Sequence, residues 1–356
     1  MLLPEQKYQY GLKYRFNGPR VQEYLTEMYE RVLAPREKER AAAIFTVGEM
    51  PGIASPEQAI THVQSGKPLQ MIFHFEHMYI DHQPGKTCFN YREWKLPELK
   101  AILGRFMEYG QDHDGWDSLY LENHDQPRIV SRWGHDGKYR VEAAKMLAMF
   151  HVTGRGTVFI YQGQEIGMAN ARKWAYDELR DLEEINHFDA VRDTRSPGTD
   201  MDDVLSDIRR IGRDNSRMPL SWDDSVNAGF SNGSPWIKIC EDYREWNVAS
   251  QLHYTDSVLT FWRTLLDLRK RELTLVYGRF TMLDEPSETV YAYTRSSDAE
   301  QFTVVCSFAP CEVQWQGAIG AGDLILSNYT ETGRKVDGER SMVLKPFECR
   351  LYRKGL

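Results

Sequence analysis

Glu49 and Asp125 are the carboxylates best placed to do chemistry. Glu49 ends the run AIFTVGEM at 43–50, inside VGEMPG, and Asp125 ends DSLYLENHD at 117–125, inside ENHDQPR, with His124 directly before it. In parallel (β/α) architectures the reactive side chains gather at the C-terminal ends of the strands, where the loops converge. A carboxylate there can transfer a proton or stabilise developing positive charge. It can equally cap the helix that follows, and for either residue alone the two readings balance. The pair, with His124, favours chemistry. Arg213, the first arginine of RDNSR, lies in a charged stretch and by itself reads as a surface ion pair.

The elements that must position these residues follow a repeating order. β-like runs at 43–50, 70–78 (QMIFHFEHM), 117–125 and 156–167 (GTVFIYQGQEIG) are rich in β-branched and aromatic residues, and the last three begin roughly forty residues apart, which suits one helix between each pair. NGPRVQEYLTEMYERVL, LPELKAILGRFMEYG and YRVEAAKMLAMFHV supply helices with apolar residues at spacings of three and four, as an amphipathic helix requires. The alternation predicts βαβ units and a parallel sheet. From about 171 to 250 it dissolves into charged, Trp- and Gly-rich sequence, too long for a plain loop. DSVLTFWRTLLDLRKREL at 256–273 restores a helix. After Gly278, TVYAYTR, FTVVCSFA and RLYRK alternate as short strands, which predicts a small antiparallel β domain over 279–356 behind a first domain over 1–278.

Composition limits the partners. The 356 residues are 41% apolar and carry a formal charge of −8, so the chain folds around a sizeable core and lacks the clustered cations that nucleic acid or an anionic membrane would demand. A neutral ligand fits better. Five cysteines with no CxxC pair suggest neither a disulfide framework nor a zinc site. The opening MLLPEQKYQYGLKYRF has no signal-peptide core and no membrane-spanning run; a cytoplasmic protein is expected.

FTVGEMPG, LENHDQPRIVSRWG, GTVFIYQGQEIGMAN and RDNSRMPLSWDDSVNAGFS, in that order along the chain, together resemble the α-glucosidase and oligo-1,6-glucosidase branch of glycoside hydrolase family 13, with a YQGQEIG spelling similar to the fungal maltase or isomaltase type. The resemblance implies an α/β fold, the second half of a (β/α)8 TIM barrel (strands five to eight), followed by an antiparallel β-sandwich domain. It implies that Glu49 is the general acid/base, that Asp125 is the carboxylate stabilising the transition state, that His124 donates to sugar hydroxyls and that Arg213 binds the transferred glucosyl unit. Arg217 and Tyr161 are weaker candidates. No metal or cofactor is expected, since the family's calcium-site loop has no counterpart here, and the partner is an oligosaccharide or disaccharide.

In this family a retaining mechanism pairs the acid with a nucleophilic carboxylate across the scissile bond, and Glu49 would need a raised pKa to hold its proton near neutrality. The nucleophile's G-F-R-x-D motif is missing, and no aspartate precedes Asp81. The expectation is therefore an N-terminally truncated α-glucosidase with little activity by itself, its runs at 43–50 and 156–167 left as unpaired sheet edges. A catalytically dead relative serving as an interaction or scaffold protein is the alternative. Linkage preference, and hydrolysis against isomerisation or transglycosylation, stay open.

Overall fold

The computed structural model describes residues 16–63, 68–86, 88–329, 335–336, 338 and 340–356, so the reading of the opening segment falls almost wholly outside the described residues. Contacts divide the chain into two compact units. One holds the chain up to Tyr79 with Ile102–Ser118; the other holds Ile80–Ala101 with Leu119–Leu356.

In the first unit α1 (Val21–Met28) runs through a π-helical turn, Tyr29–Leu33, into α2 (Ala34–Arg40). β1 (Val47–Glu49) pairs in parallel with β2 (Met71–Phe73), placing Glu49 opposite Phe73, and α3 (Pro56–Val63) lies between them in sequence. The strand is shorter than its β-like run; directly before it Gln70 Oε1 accepts the Thr46 N–H at 2.6 Å and its hydroxyl at 2.5 Å, while the Thr46 carbonyl accepts the Gln70 N–H at 3.3 Å. A Cβ on Gly48 would stand 2.8 Å from Leu69 Cδ1, so glycine lets Leu69 close on the strand, and Gly52, at φ +91°, turns the chain directly after Glu49. Met50, Ile53, Ala59, Leu69, Ile72 and Phe106 form the core beneath.

The 17-residue helix α4 (Leu96–Asp112) precedes β3 (Ser118–Leu119), which pairs with β4 (Thr157–Val158). The expected parallel sheet is thus represented by two separate pairs of short strands. Among the described residues the runs at 43–50 and 156–167 each pair on one side only, with β2 and β3, as edge strands do. Asp125 does not end a strand; it sits in a turn six residues beyond β3.

After the short α5 (Ile129–Arg132), α6 (Arg140–Thr153) departs from the amphipathic reading of YRVEAAKMLAMFHV, for it is buried on nearly every side. The polar residues that imitate a solvent face are buried with partners. Lys145 Nζ donates to Asp256 Oδ1 at 2.5 Å, and Arg140 pairs with Asp242 while stacking over Trp246 at 3.9 Å.

The stretch 171–250 contains four helices, α7 (Leu182–Arg192), α8 (Asp202–Ile211), α9 (Asp214–Arg217) and α10 (Val248–Leu252). α8 buries only Val204, Ile208 and Ile211, but these share one face and join Trp174, Phe188 and Met218 in a common core. Each such side chain contributes about 1.5–3 kcal/mol when fully buried, enough to order a segment whose composition reads as loop. α11 (Val258–Arg271) is capped by Ser257, whose Oγ accepts the Thr260 N–H at 3.1 Å, and α12 (Leu273–Tyr277) follows.

The remaining chain is antiparallel β structure. A six-stranded sheet contains β5 (Arg279–Met282), β6 (Val290–Ser296), β7 (Glu300–Ser307), β9 (Gly322–Ser327), β10 (Lys335–Val336) and β12 (Cys349–Gly355) in the order β10-β9-β12-β7-β6-β5; β8 (Val313–Trp315) and β11 (Met342–Leu344) form a separate pair. Side chains from both, among them Ala292, Val305, Trp315, Leu344 and Tyr352, pack into one core.

Candidate active site

The turn that presents His124 and Asp125 is built on two buried charges. Glu122 and Arg128, 2% and 0% exposed, close its two ends: Glu122 accepts Arg128 Nη1 at 3.3 Å through Oε1 and the Ile129 N–H at 2.5 Å through Oε2. Asn123 Oδ1 takes the Asp125 N–H at 2.8 Å, an Asx-type bond that folds the backbone back and leaves both neighbouring side chains outside. Burial pushes the Glu122 carboxyl up to about 7 in spite of Arg128.

Arg128 also reaches the two other segments that carry candidate residues. Its Nη1 donates to Gln162 O at 2.7 Å, next to Tyr161, and its Nη2 to Ser216 O at 3.1 Å, inside α9. Tyr161 donates its hydroxyl to the same Ser216 carbonyl at 3.1 Å, and the Arg128 guanidinium lies 5.3 Å from its ring centroid. Tyr161 is thus tied to the framework behind Arg213 and Arg217.

Arg213 stands just before α9 and Arg217 is its last residue, and both converge on Asp125. Arg217 Nη2 donates to Asp125 Oδ1 at 2.8 Å; Arg213 Nη1 is 3.6 Å from the same oxygen; His124 Nε2 is 3.5 Å from Oδ2. Four of the six candidates therefore meet in one charged cluster, with Arg217 closer to Asp125 than Arg213. Glu49 belongs to the other compact unit, where it is the last residue of β1 and its side chain is exposed.

A second carboxylate, Asp181, completes the cluster. It accepts Arg213 Nη2 at 2.9 Å and Arg217 Nη1 at 2.7 Å, and it caps α7 by accepting the Glu183 and Glu184 N–H groups. Burial pushes its carboxyl up, but the hydrogen bonds and charges of the two arginines outweigh this and hold it below the ordinary value. Asp181, Glu122 and Arg128 were not among the candidates read from the sequence. For Asp181 a signal existed: Asp181-Leu182-Glu183-Glu184 has the D-x-x-E spacing of a helix start, obscured by the acidic surroundings.

Behind Asp181 lie Glu184 and Asp214, each 1% exposed. Asp214 accepts the Arg180 and Asp181 N–H groups on Oδ2 and donates its own N–H to Glu184 Oε1 at 3.0 Å, which fixes the start of α9 against the start of α7. Burial, with the charges of Asp214 and Asp181, pushes Glu184 up to about 8. Between about pH 4.5 and about pH 8 the folded chain therefore holds a proton that the unfolded chain has lost, so this group makes stability fall as pH rises through that window. Glu184→Gln should flatten the fall by on the order of 2–5 kcal/mol between about pH 5 and about pH 8, read by denaturant unfolding at both values. Equal slopes in the two proteins would refute it.

Among the described residues no group of three or more His, Cys, Asp or Glu is arranged to hold a metal, no helix is long and apolar enough to cross a membrane, and the five cysteines are unpaired.

Residues 1–278 match the profile of the α-amylase catalytic domain. The chain is 39% identical over 355 residues to the oligo-1,6-glucosidase of Parageobacillus thermoglucosidasius, covering 98% of this chain and 60% of that protein. It is 32% identical over 340 residues to the α-glucosidase of Schizosaccharomyces pombe, covering 92% of this chain and 57% of that protein. Among solved structures, the trehalose-6-phosphate hydrolase of Bacillus licheniformis superposes with a TM-score of 0.86 at 30% identity, covering 98% of this chain and 61% of that one. The chain spans about three fifths of the length of the relatives it matches.

Proposed function

The chain belongs to the α-amylase family, glycoside hydrolase family 13, and on that premise we propose that it carries the acid/base and glucosyl-binding part of a retaining α-glucosidase. The substrates would be maltose-, isomaltose- or sucrose-type oligosaccharides with a terminal α-linked glucose. The observation that carries the reading is the convergence of Arg217, Arg213 and His124 on Asp125. Such a cluster presents a carboxyl oxygen beside an imidazole, a pair suited to the hydroxyls of a pyranose ring that flattens towards an oxocarbenium ion.

In this reading Glu49 protonates the leaving glycosidic oxygen, and Asp125 stabilises the positive charge that grows on the ring. His124 donates to sugar hydroxyls, Arg213 and Arg217 hold Asp125 in orientation, and Tyr161 supports them. Residues 1–278 are assigned to strands five to eight of a (β/α)8 barrel, with β1 to β4 in those places, and 279–356 to a C-terminal sandwich domain. The unpaired cysteines accord with a cytoplasmic location. The proposal extends to α-glucosidases at large and not to the fungal maltase type in particular.

No G-F-R-x-D sequence occurs in these 356 residues, so hydrolysis by them alone should be slow. Azide can replace the absent carboxylate by attacking the anomeric carbon from the β face, while Glu49 gives its proton to the departing oxygen. With maltose and azide the chain should form β-glucosyl azide and glucose, and Glu49→Gln should lower that rate by about 10²-fold or more, the scale of general acid catalysis. Azide products formed equally well by Glu49→Gln, or absent from both proteins, would remove Glu49 from this role.

A further inference from the structure

Each nitrogen of Arg217 already has a protein acceptor. Its Nε donates to His124 O at 3.0 Å, its Nη1 to Asp181 Oδ2 at 2.7 Å and its Nη2 to Asp125 Oδ1 at 2.8 Å. Arg213 is paired through Nη2, 2.8 Å from Asp181 Oδ2 and 3.4 Å from Glu183 Oε2, while its Nη1 stands 3.6 Å from Asp125 Oδ1. Three carboxylates, Asp125, Asp181 and Glu183, thus surround two guanidinium groups. Arg180, the nearest other cation in sequence, turns its side chain onto the carbonyls of Trp236, Asp177 and Leu179. The most exposed side chains of the cluster are His124 and Glu183, each 59% exposed, followed by Asp125 at 37%.

A paired arginine is a common device for gripping phosphate, and two arginines this close would serve it well. Here the charge of both is offset from inside by carboxylates. Asp181, only 4% exposed, cannot reach a ligand itself, yet it cancels charge that would otherwise project into the site. Excluding a competitor by charge in this way is as much a part of specificity as attracting the right ligand.

We propose that Asp181 sets the charge selectivity of the site: by engaging Arg213 and Arg217 from the protein side, it restricts the cluster to uncharged glucosides and excludes phosphorylated sugars. The inference rests on the reading that Asp125 and His124 hold a glucosyl ring. Asp181 is a positioning residue, acting through the arginines. Asp181→Asn removes one negative charge while an asparagine can still cap α7, leaving the two guanidinium groups with Asp125 and Glu183.

The test is titration of the 356-residue chain and of Asp181→Asn with methyl α-D-glucopyranoside and with D-glucose 6-phosphate, followed by ligand-observed NMR at low and high salt. Wild type should prefer the neutral glucoside by about tenfold or more, and the variant should shrink that preference by about tenfold through a gain for the phosphate that fades as salt rises. A purely structural role for Asp181 would weaken both ligands together and leave their ratio and its salt dependence unchanged; that result overturns the inference. Asp181→Ser, which keeps a capping hydroxyl, provides a second uncharged variant, and should neither fold, wild type binding the two ligands equally would overturn it as well. If wild type binds neither ligand, the glucoside reading fails and this inference with it; if wild type prefers the glucoside and the folded variants keep the same ratio, this inference fails alone.

Discussion

Arg128→Met should lower the unfolding free energy by about 3–5 kcal/mol, the usual cost of stripping one partner from a buried ion pair. Methionine replaces much of the stem, so the loss isolates the guanidinium. Without it the carbonyls of Gln162 and Ser216 lose a donor, and Glu122 is left in the interior with no opposing charge. The pH dependence identifies the cause. Glu122 titrates at about 7 in the intact protein, so below that value it is largely neutral and the variant forfeits mainly hydrogen bonds; above it, the variant must keep the carboxyl protonated or bury a bare charge. The penalty should therefore be larger at about pH 8 than at about pH 6, and Glu122→Gln in the same chain should recover part of it, a coupling that a double-mutant cycle measures. Additive effects of the two substitutions, with no dependence on pH, would contradict this account of the turn.

Asp81→Ala should cost a similar amount, about 3–5 kcal/mol, for a related reason. Asp81 receives Arg132 through two bonds, Nε at 2.6 Å and Nη2 at 2.7 Å, with both side chains buried, and Arg132 Nη1 continues to Gln126 Oε1 at 2.7 Å. The pair therefore braces the residue beside Asp125. Burial raises the Asp81 carboxyl, but the charge and hydrogen bonds of Arg132 overcome it and leave Asp81 titrating below the ordinary value. With the folded value depressed, its contribution is complete above the unfolded pKa of about 3.9 and is lost as pH falls through the folded value. Denaturant unfolding of wild type and Asp81→Ala should differ fully near neutrality and converge in acid. Asp81→Asn, which keeps the shape and loses the charge, should fall between them; an Asp81→Ala protein as stable as wild type near neutrality would refute the bracing role.

The sequence exposed those parts of the fold that depend on local pattern. The end of the first strand near 49, the starts of the strands near 71, 118 and 157, the helices 96–112 and 258–271 and the antiparallel strands 290–296, 300–307 and 349–355 all follow from periodicity and residue type. Strand length was not accessible in the same way: at Thr46 the N–H goes to a side chain, Gln70 Oε1, and only the carbonyl keeps a backbone partner, a local exchange that periodicity does not report. α6 was misjudged in its exposure, since Arg140 and Lys145 look like a solvent face until Asp242 and Asp256, about a hundred residues away, are known to meet them. α7 and α8 were hidden because their charged residues outnumber the few apolar ones that pack.

The site divides along the same line. His124, Asp125, Arg213 and Arg217 were found through motifs and are brought into one cluster. Asp181 and Arg128 escaped because their importance lies in what they hold together, which single-residue reasoning does not see. One lies in an acidic run and the other at the end of a turn, and neither position draws notice until three segments of chain are seen to meet on it.

Placing a bound sugar is the most direct measurement of all, by determining a crystal structure of the chain with methyl α-D-glucopyranoside. The account predicts ring hydroxyls on Asp125 Oδ2 and the His124 imidazole, with the glycosidic oxygen within about 2.6–3.2 Å of a Glu49 carboxyl oxygen. A sugar seated away from Asp125, or one whose glycosidic oxygen points away from Glu49, would contradict it.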